Sequence, residues 1–189
     1  MRIVTILGSP RKKGNTARVL GQAEELIGRE HEVDRINIID HEVRGCRGCG
    51  ACEKNPDQPA CVQKDDAEAI FQRMITADAI IYASPLYCWS YTAQLKALLD
   101  RHFCLVTGYG TPQCKSLIAG KPATLLVTCA GPVEQNADLI PQIFDRMASY
   151  IKTPVVGKYI VPGCTTPDAL GEEAEKVAGR MAADIMAAL

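Results

Sequence analysis

Several classes of protein are excluded by what this sequence does not contain. No apolar run approaches the roughly 18–20 residues that a membrane-spanning helix needs. There is no basic excess: 21 Lys and Arg face 22 Asp and Glu, for a net charge of −1. No basic excess is therefore available to neutralise a run of phosphates, so no nucleic-acid partner is expected. The order of a secretory leader is missing too. The apolar stretch Ile3–Leu7 comes first and Arg11, Lys12 and Lys13 follow it, which is the reverse of an export signal and predicts a cytoplasmic protein. Histidine is scarce. His31, His41 and His102 show no ligand spacing and read as solvated or packing residues.

What the chain does have is ordinary globular composition, with 47% hydrophobic and 23% charged residues. That is too apolar for disorder. Its 189 residues predict a single domain, residues 1–189. The outlier is cysteine. Nine cysteines, an odd number, argue against a complete disulfide framework. Cys46, Cys49, Cys52 and Cys61 lie close together. Cys88, Cys104, Cys114, Cys129 and Cys164 are scattered, as small buried hydrophobes usually are.

Short apolar runs alternate with amphipathic stretches. Ile3–Leu7, Val33–Ile39, Ala79–Ala83, Ala123–Thr128 and Val155–Val161 read as strands. Helical spacing runs over residues 15–28, from Asp65 or Asp66 through Ile75, from Tyr91 to about Phe103, and around Leu139–Ile151. A last helix is expected from Thr166-Pro167, with its stripe at Leu170, Ala174, Val177, Met181 and Ile185. The strands are continuous apolar runs, as when both faces of a sheet are covered. This pattern predicts an α/β fold, a doubly wound five-stranded parallel sheet of order 2-1-3-4-5. Residues 41–64, after the second strand, carry the clustered cysteines and are too long for a plain connection.

In such a sheet, ligands bind beyond the carboxyl ends of the strands at the switch point. The loop Gly8–Thr16 leads from the first strand to a helix N-terminus. Its Ser9, Arg11, Gly14, Asn15 and Thr16 suit a phosphate. Five residues separate its glycines and Asn15 stands where a Walker A lysine would, so it is not a P-loop, and it is not a dinucleotide fingerprint. The loop after the third strand has Pro85, Leu86, Tyr87, Cys88 and Trp89, the last being the single tryptophan. It can line a flat conjugated ligand or pack on another subunit. After the fourth strand, Thr128, Cys129, Ala130 and Gly131 are small enough for a ring to approach the backbone. Phosphate at one loop and a flat ring at the other two describe flavin mononucleotide.

Gly8-Ser-Pro-Arg11 with Gly14-Asn-Thr16, and Ser84-Pro-Leu-Tyr87 followed by Gln94-Leu-Lys96 and Asp100-Arg101, resemble the NAD(P)H-dependent FMN reductase family of flavodoxin-like proteins over roughly residues 1–150. Gly45-Cys-Arg-Gly-Cys-Gly-Ala-Cys52 with Cys61 resembles that family's iron–sulfur flavoprotein branch. The resemblance implies FMN with its phosphate on the first loop. It also implies that Pro85, Leu86, Tyr87 and Trp89 lie along the ribityl chain and ring, and that residues 128–131 lie near the pyrimidine edge. NAD(P)H as donor and a homodimer or homotetramer with flavin sites near subunit interfaces are implied as well.

The spacing Cys46-x2-Cys49-x2-Cys52 is that of a [4Fe–4S] loop. Cys61 follows after eight residues, a wider gap than in the branch it resembles, although Pro56 and Pro59 could turn the chain back. Zinc on four thiolates and a vacant, partly oxidised site are the alternatives. The expected function is FMN-dependent electron transfer from a reduced nicotinamide to a small-molecule or protein acceptor, directly or through the cluster. The alternative is a flavodoxin-like electron carrier without a hydride donor, against which the near-neutral charge weighs. A Cys-x5-Arg phosphatase motif is absent, and Gly8-Ser9 stand where a phospho-accepting regulator would carry acids.

Overall fold

The computed structural model describes residues 1–55, 57–166 and 170–189. Its main sheet contains β1 (Arg2–Leu7), β2 (Glu32–Asn37), β3 (Ala79–Pro85), β6 (Ala123–Thr128) and β7 (Val155–Val161). They are all parallel, in the order β2-β1-β3-β6-β7. Between them β4 (Val106–Thr107) and β5 (Lys115–Ser116) form a short antiparallel pair. This is the flavodoxin-like order predicted from the alternation of runs.

The two faces are filled by alternate residues of the same strands. On one side Ile3 and Leu7 of β1 and Ile81 of β3 pack with helices α1 (Asn15–Ile27) and α5 (Glu172–Ala187). On the other, Val4, Ile6 and Tyr82 pack with α2 (Ala67–Thr76), α3 (Ala93–Asp100) and α4 (Ile140–Tyr150). Each fully buried aliphatic side chain stabilises the fold by about 1.5–3 kcal/mol. Double coverage is why β1, β3 and β6 show almost no polar alternation. Among the described residues, no helix is long and apolar enough to cross a membrane.

Several boundaries differ from expectation. β2 stops at Asn37, and Ile38–Asp40 tighten into a 3-10 turn. The third helix begins at Ala93, because the hydroxyl of Thr92 accepts from the Leu95 N–H (3.2 Å). It gives way to a 3-10 turn at Arg101–Leu105. The side chain of Asp66 does not cap α2; Asp65 accepts from the Ala67 N–H instead (3.3 Å). The last helix begins at Glu172 rather than at Thr166, and Pro167, its expected first-turn residue, lies outside the described residues. Glu172, Glu173 and Glu175 in its first turn favour that later start, since acids stabilise a helix N-terminus.

Candidate functional site

The loops at the carboxyl ends of the strands are drawn together by a few buried bonds. Gly8 closes β1 with no room for a side chain, since a Cβ there would lie 2.7 Å from that of Leu95. Its N–H reaches Ala83 O (2.7 Å), and its carbonyl accepts from the Thr92 hydroxyl (2.5 Å). The first loop is thereby tied to β3 and α3. Thr16 and Thr128 share a buried hydroxyl contact of 2.7 Å. Leu86 N–H donates to Thr128 O (2.8 Å), Cys129 N–H to Val161 O (3.0 Å) and Cys164 N–H to Cys129 O (2.9 Å).

These ties leave a cavity of about 710 Å³, within the range of small-molecule sites. Ser9, Arg11, Gly14, Asn15 and Thr16 line one end. Ser9 is buried, and its hydroxyl accepts from the Arg11 N–H (3.0 Å), which folds the loop over itself. α1 begins behind Gly14 without any side-chain cap, and the first amides of a helix have no intrahelical acceptor. The Oδ1 of Asn15, an acceptor, is buried and unpartnered, which leaves it for a donor group of a ligand rather than for phosphate oxygens. Free amides, hydroxyls and a cation at a helix N-terminus are the donor set a phosphate needs. Pro85, Leu86 and Tyr87 line the cavity from β3, and Thr128, Cys129 and Ala130 from β6. A phosphorylated ligand with a flat ring fits this lining.

Cys88, Trp89 and Gly131 do not line that cavity. Cys88 and Trp89 are the corners of a two-residue turn, closed by reciprocal 3.0 Å bonds between Tyr87 and Ser90, with φ of +46° and +60°. Turns of this hand usually take Asn-Gly. Here the turn sets Trp89 at the surface, 67% exposed. Gly131 packs instead against the Asn136 side chain.

Cys46, Cys49, Cys52 and Cys61 open on one small pocket beside Arg101 and Cys104. Gly48 and Gly50, both at positive φ (63° and 66°), let the chain wind tightly between the cysteines. Cys46 and Cys49 are exposed, Cys61 is partly covered and Cys52 is buried. Burial pushes the Cys52 thiol up, and the neighbouring Cys61, Cys46 and Cys49 add to the shift. Among the described residues, no three His, Cys, Asp or Glu side chains converge closely enough to hold a single metal ion. As a donor set, four soft thiols around one pocket fit an iron–sulfur cluster.

Residues 1–166 match the family model described as NADPH-dependent FMN reductase. The chain belongs to that family. An iron–sulfur flavoprotein of Archaeoglobus fulgidus is 31% identical over 98% of this chain and 79% of that protein. One of Methanosarcina thermophila is 45% identical over 56% of this chain, and the match spans only 54% of that relative. The solved NAD(P)H:quinone oxidoreductase of Methanothermobacter marburgensis superposes with a TM-score of 0.70 at 17% identity, covering 100% of this chain and 97% of that one. At that identity the likeness speaks for the fold.

As a member of the FMN reductase family the protein is a flavin oxidoreductase, with FMN as its cofactor. Its cavity also has walls that sequence reasoning did not single out. Ile39 and Asp40 approach from the end of β2, and Cys164 and Thr165 from the end of β7. Asp40 is held by Lys12 (2.9 Å). The signal for these positions was the fold itself, since every residue just past a parallel strand lies at the ligand-binding edge. Cys104 is the buried core cysteine expected of it, but it also lines the cysteine pocket, and burial followed by the neighbouring Cys52 and Cys61 pushes its thiol up to about 12.

Proposed function

We propose that this chain is an NAD(P)H-dependent flavin oxidoreductase of the iron–sulfur flavoprotein kind. It holds FMN in the cavity beyond β1, β3 and β6, and one [4Fe–4S] cluster on Cys46, Cys49, Cys52 and Cys61. The observation that carries this reading is the opening of four thiols on one pocket in a chain that aligns over 98% of its length with an iron–sulfur flavoprotein. Bound FMN supplies two-electron exchange with a reduced nicotinamide, and the cluster supplies single-electron exchange with an acceptor.

The protein's own residues bind, orient and shield. The uncapped start of α1, Ser9, Asn15 and Thr16 take the phosphate oxygens, and Arg11 offsets their charge. Leu86 and Tyr87 cover the ring on one side, while Thr128, Cys129 and Ala130 bring backbone groups to its edge. Burial raises the Cys129 thiol, which keeps it neutral and leaves that edge to hydrogen bonding. No second nucleotide fingerprint is present, so the nicotinamide stacks in this same cavity and leaves before a small-molecule or protein acceptor enters. The exposed Tyr87 and Trp89 (43% and 67%) form the surface through which two or more copies associate near the flavin.

Anaerobic reconstitution of the wild type and of Cys49→Ser, with iron counting and low-temperature EPR of the reduced proteins, tests the reading. About four irons in the wild type and a large loss in the variant are expected. One zinc per chain, or no metal at all, would overturn the cluster and leave the flavoenzyme in place.

A further inference from the structure

Arg101 stands behind the cysteine pocket, and it is almost fully buried. It pairs with Asp65 at 2% and 0% side-chain exposure. One terminal nitrogen donates to Asp65 Oδ2 (2.8 Å) and to the carbonyl of Arg44 (3.0 Å), the other to Asp65 Oδ1 (3.2 Å). Asp65 also accepts from the backbone N–H groups of Arg44 (3.0 Å) and Ala67 (3.3 Å). Arg44 is thus held through both its N–H and its C=O, immediately ahead of Gly45 and Cys46. Asp65 lies just beyond Cys61. The pair clamps the two ends of the cysteine-bearing segment to the turn that follows α3.

The clamp uses only the two terminal nitrogens of the guanidinium. The third, Nε, is buried and has no hydrogen-bond partner, although Arg101 itself lines the pocket with the four cysteines. Buried donors are rarely left unpaired, because an unsatisfied one loses its hydration without a replacement, and the loss is greater when the group is charged. The sulfurs of Cys46, Cys49, Cys52 and Cys61 line that same pocket, and Nε is the one guanidinium nitrogen that the clamp leaves uncommitted.

We propose that Arg101 is a positioning residue for the iron–sulfur cluster: its terminal nitrogens clamp the cysteine segment, and its Nε–H donates a hydrogen bond to a sulfur of the bound cluster. This rests on the cluster reading above. A cluster on four thiolates is an anion, and it gains a further negative charge on reduction. A donor at its sulfur therefore stabilises the reduced form more and raises the reduction potential. The guanidinium does this where an ammonium would not, because Nε lies part-way along the side chain and the terminal nitrogens are already engaged.

Arg101→Lys separates the two roles. It keeps a cation against Asp65 and puts a methylene where the Nε–H stood. The experiment is an anaerobic redox titration of the reconstituted full-length protein, followed by EPR, with iron content and FMN affinity measured alongside. At the potential where the wild-type cluster is half reduced, the variant should be about tenfold less reduced, a shift of ~59 mV to the negative side for one electron. Iron content and FMN binding should be unchanged. An unshifted potential with iron retained overturns the proposal while leaving the cluster reading intact. A wild type that takes up no iron overturns both. Should Arg101→Lys lose its cluster, the double variant Arg101→Met with Asp65→Asn, which leaves no buried charge unpaired, is read for the same shift. Loss of iron from both variants, with native melting curves, limits Arg101 to assembly and refutes its role at the sulfur.

Discussion

Thr16 and Thr128 touch through their hydroxyls, buried and 2.7 Å apart, across 112 residues of sequence. One stands in the first turn of α1 and the other at the end of β6. Their contact fixes the distance between the loop assigned to the phosphate and the strand end assigned to the ring. Replacing either alone by Val should cost about 1–3 kcal/mol, because the remaining hydroxyl is left buried without its partner. Replacing both should cost clearly less than the sum. Denaturant melts of the two single variants and the double variant close this cycle, and additive losses would show that the hydroxyls do not interact.

The phosphate assignment separates FMN from riboflavin. Each charge-assisted hydrogen bond is worth about 1.5–3 kcal/mol, so Ser9→Ala with Arg11→Ala should weaken FMN by tens of fold or more. Riboflavin, lacking the phosphate, should lose far less. Equal losses in calorimetric titrations of the two flavins would place the phosphate elsewhere.

His102 makes stability depend on pH. Its Nδ1 lies 2.9 Å from the carbonyl of Leu98 and must carry the proton, so Nε2 accepts from the Tyr82 hydroxyl (3.0 Å). Protonating Nε2 breaks that bond inside the core. Burial lowers the pKa from the ordinary 6.5 to about 4. Because the folded value is the lower one, this contribution is fully present above pH ~6.5 and is lost as pH falls toward 4. A shift of this size corresponds to about 3 kcal/mol. Melting temperatures of the wild type should fall over that window, and His102→Gln should show a shallower fall. Parallel curves would assign the acid sensitivity to other groups.

Trp89, as the single tryptophan, reports on the turn beside the cavity. Titration with FMN should quench its emission, since Tyr87, two positions earlier, lines the cavity. Unchanged fluorescence at saturating flavin would separate the turn from the flavin. Light scattering should give at least twice the 20.5 kDa chain mass, and Trp89→Ala should shift that mass toward one chain if the aromatic turn joins the copies.

How much of this could be read beforehand differs from element to element. Ile3–Leu7 and Ala123–Thr128 declare themselves as buried parallel strands because helices cover both of their faces. Gly8, Thr16 and Thr128 could be placed at one edge because strand ends converge there by topology. Cys104 could not be assigned to the cysteine pocket, since its spacing to Cys61 carries no local pattern and only the 3-10 turn after α3 brings it there. The roles of Asp65 and Arg101 were hidden for a similar reason. Asp65 reads as a helix cap, and its pairing with a residue beyond the next strand and helix is purely tertiary. There burial works against the Asp65 charge, but bonds from Arg101, Arg44 and Ala67 prevail and hold its carboxyl below the usual range.

The central claim, one chain that carries both a flavin and an iron–sulfur cluster, is met most directly by the cofactor stoichiometry of the full chain purified without oxygen. Flavin extraction with iron and acid-labile sulfide assays should return about one FMN, four irons and four sulfides per chain, with flavin absorption riding on a broad brown shoulder. One FMN with neither iron nor sulfide, before and after reconstitution, would contradict it and leave the cysteine pocket without the role assigned to it.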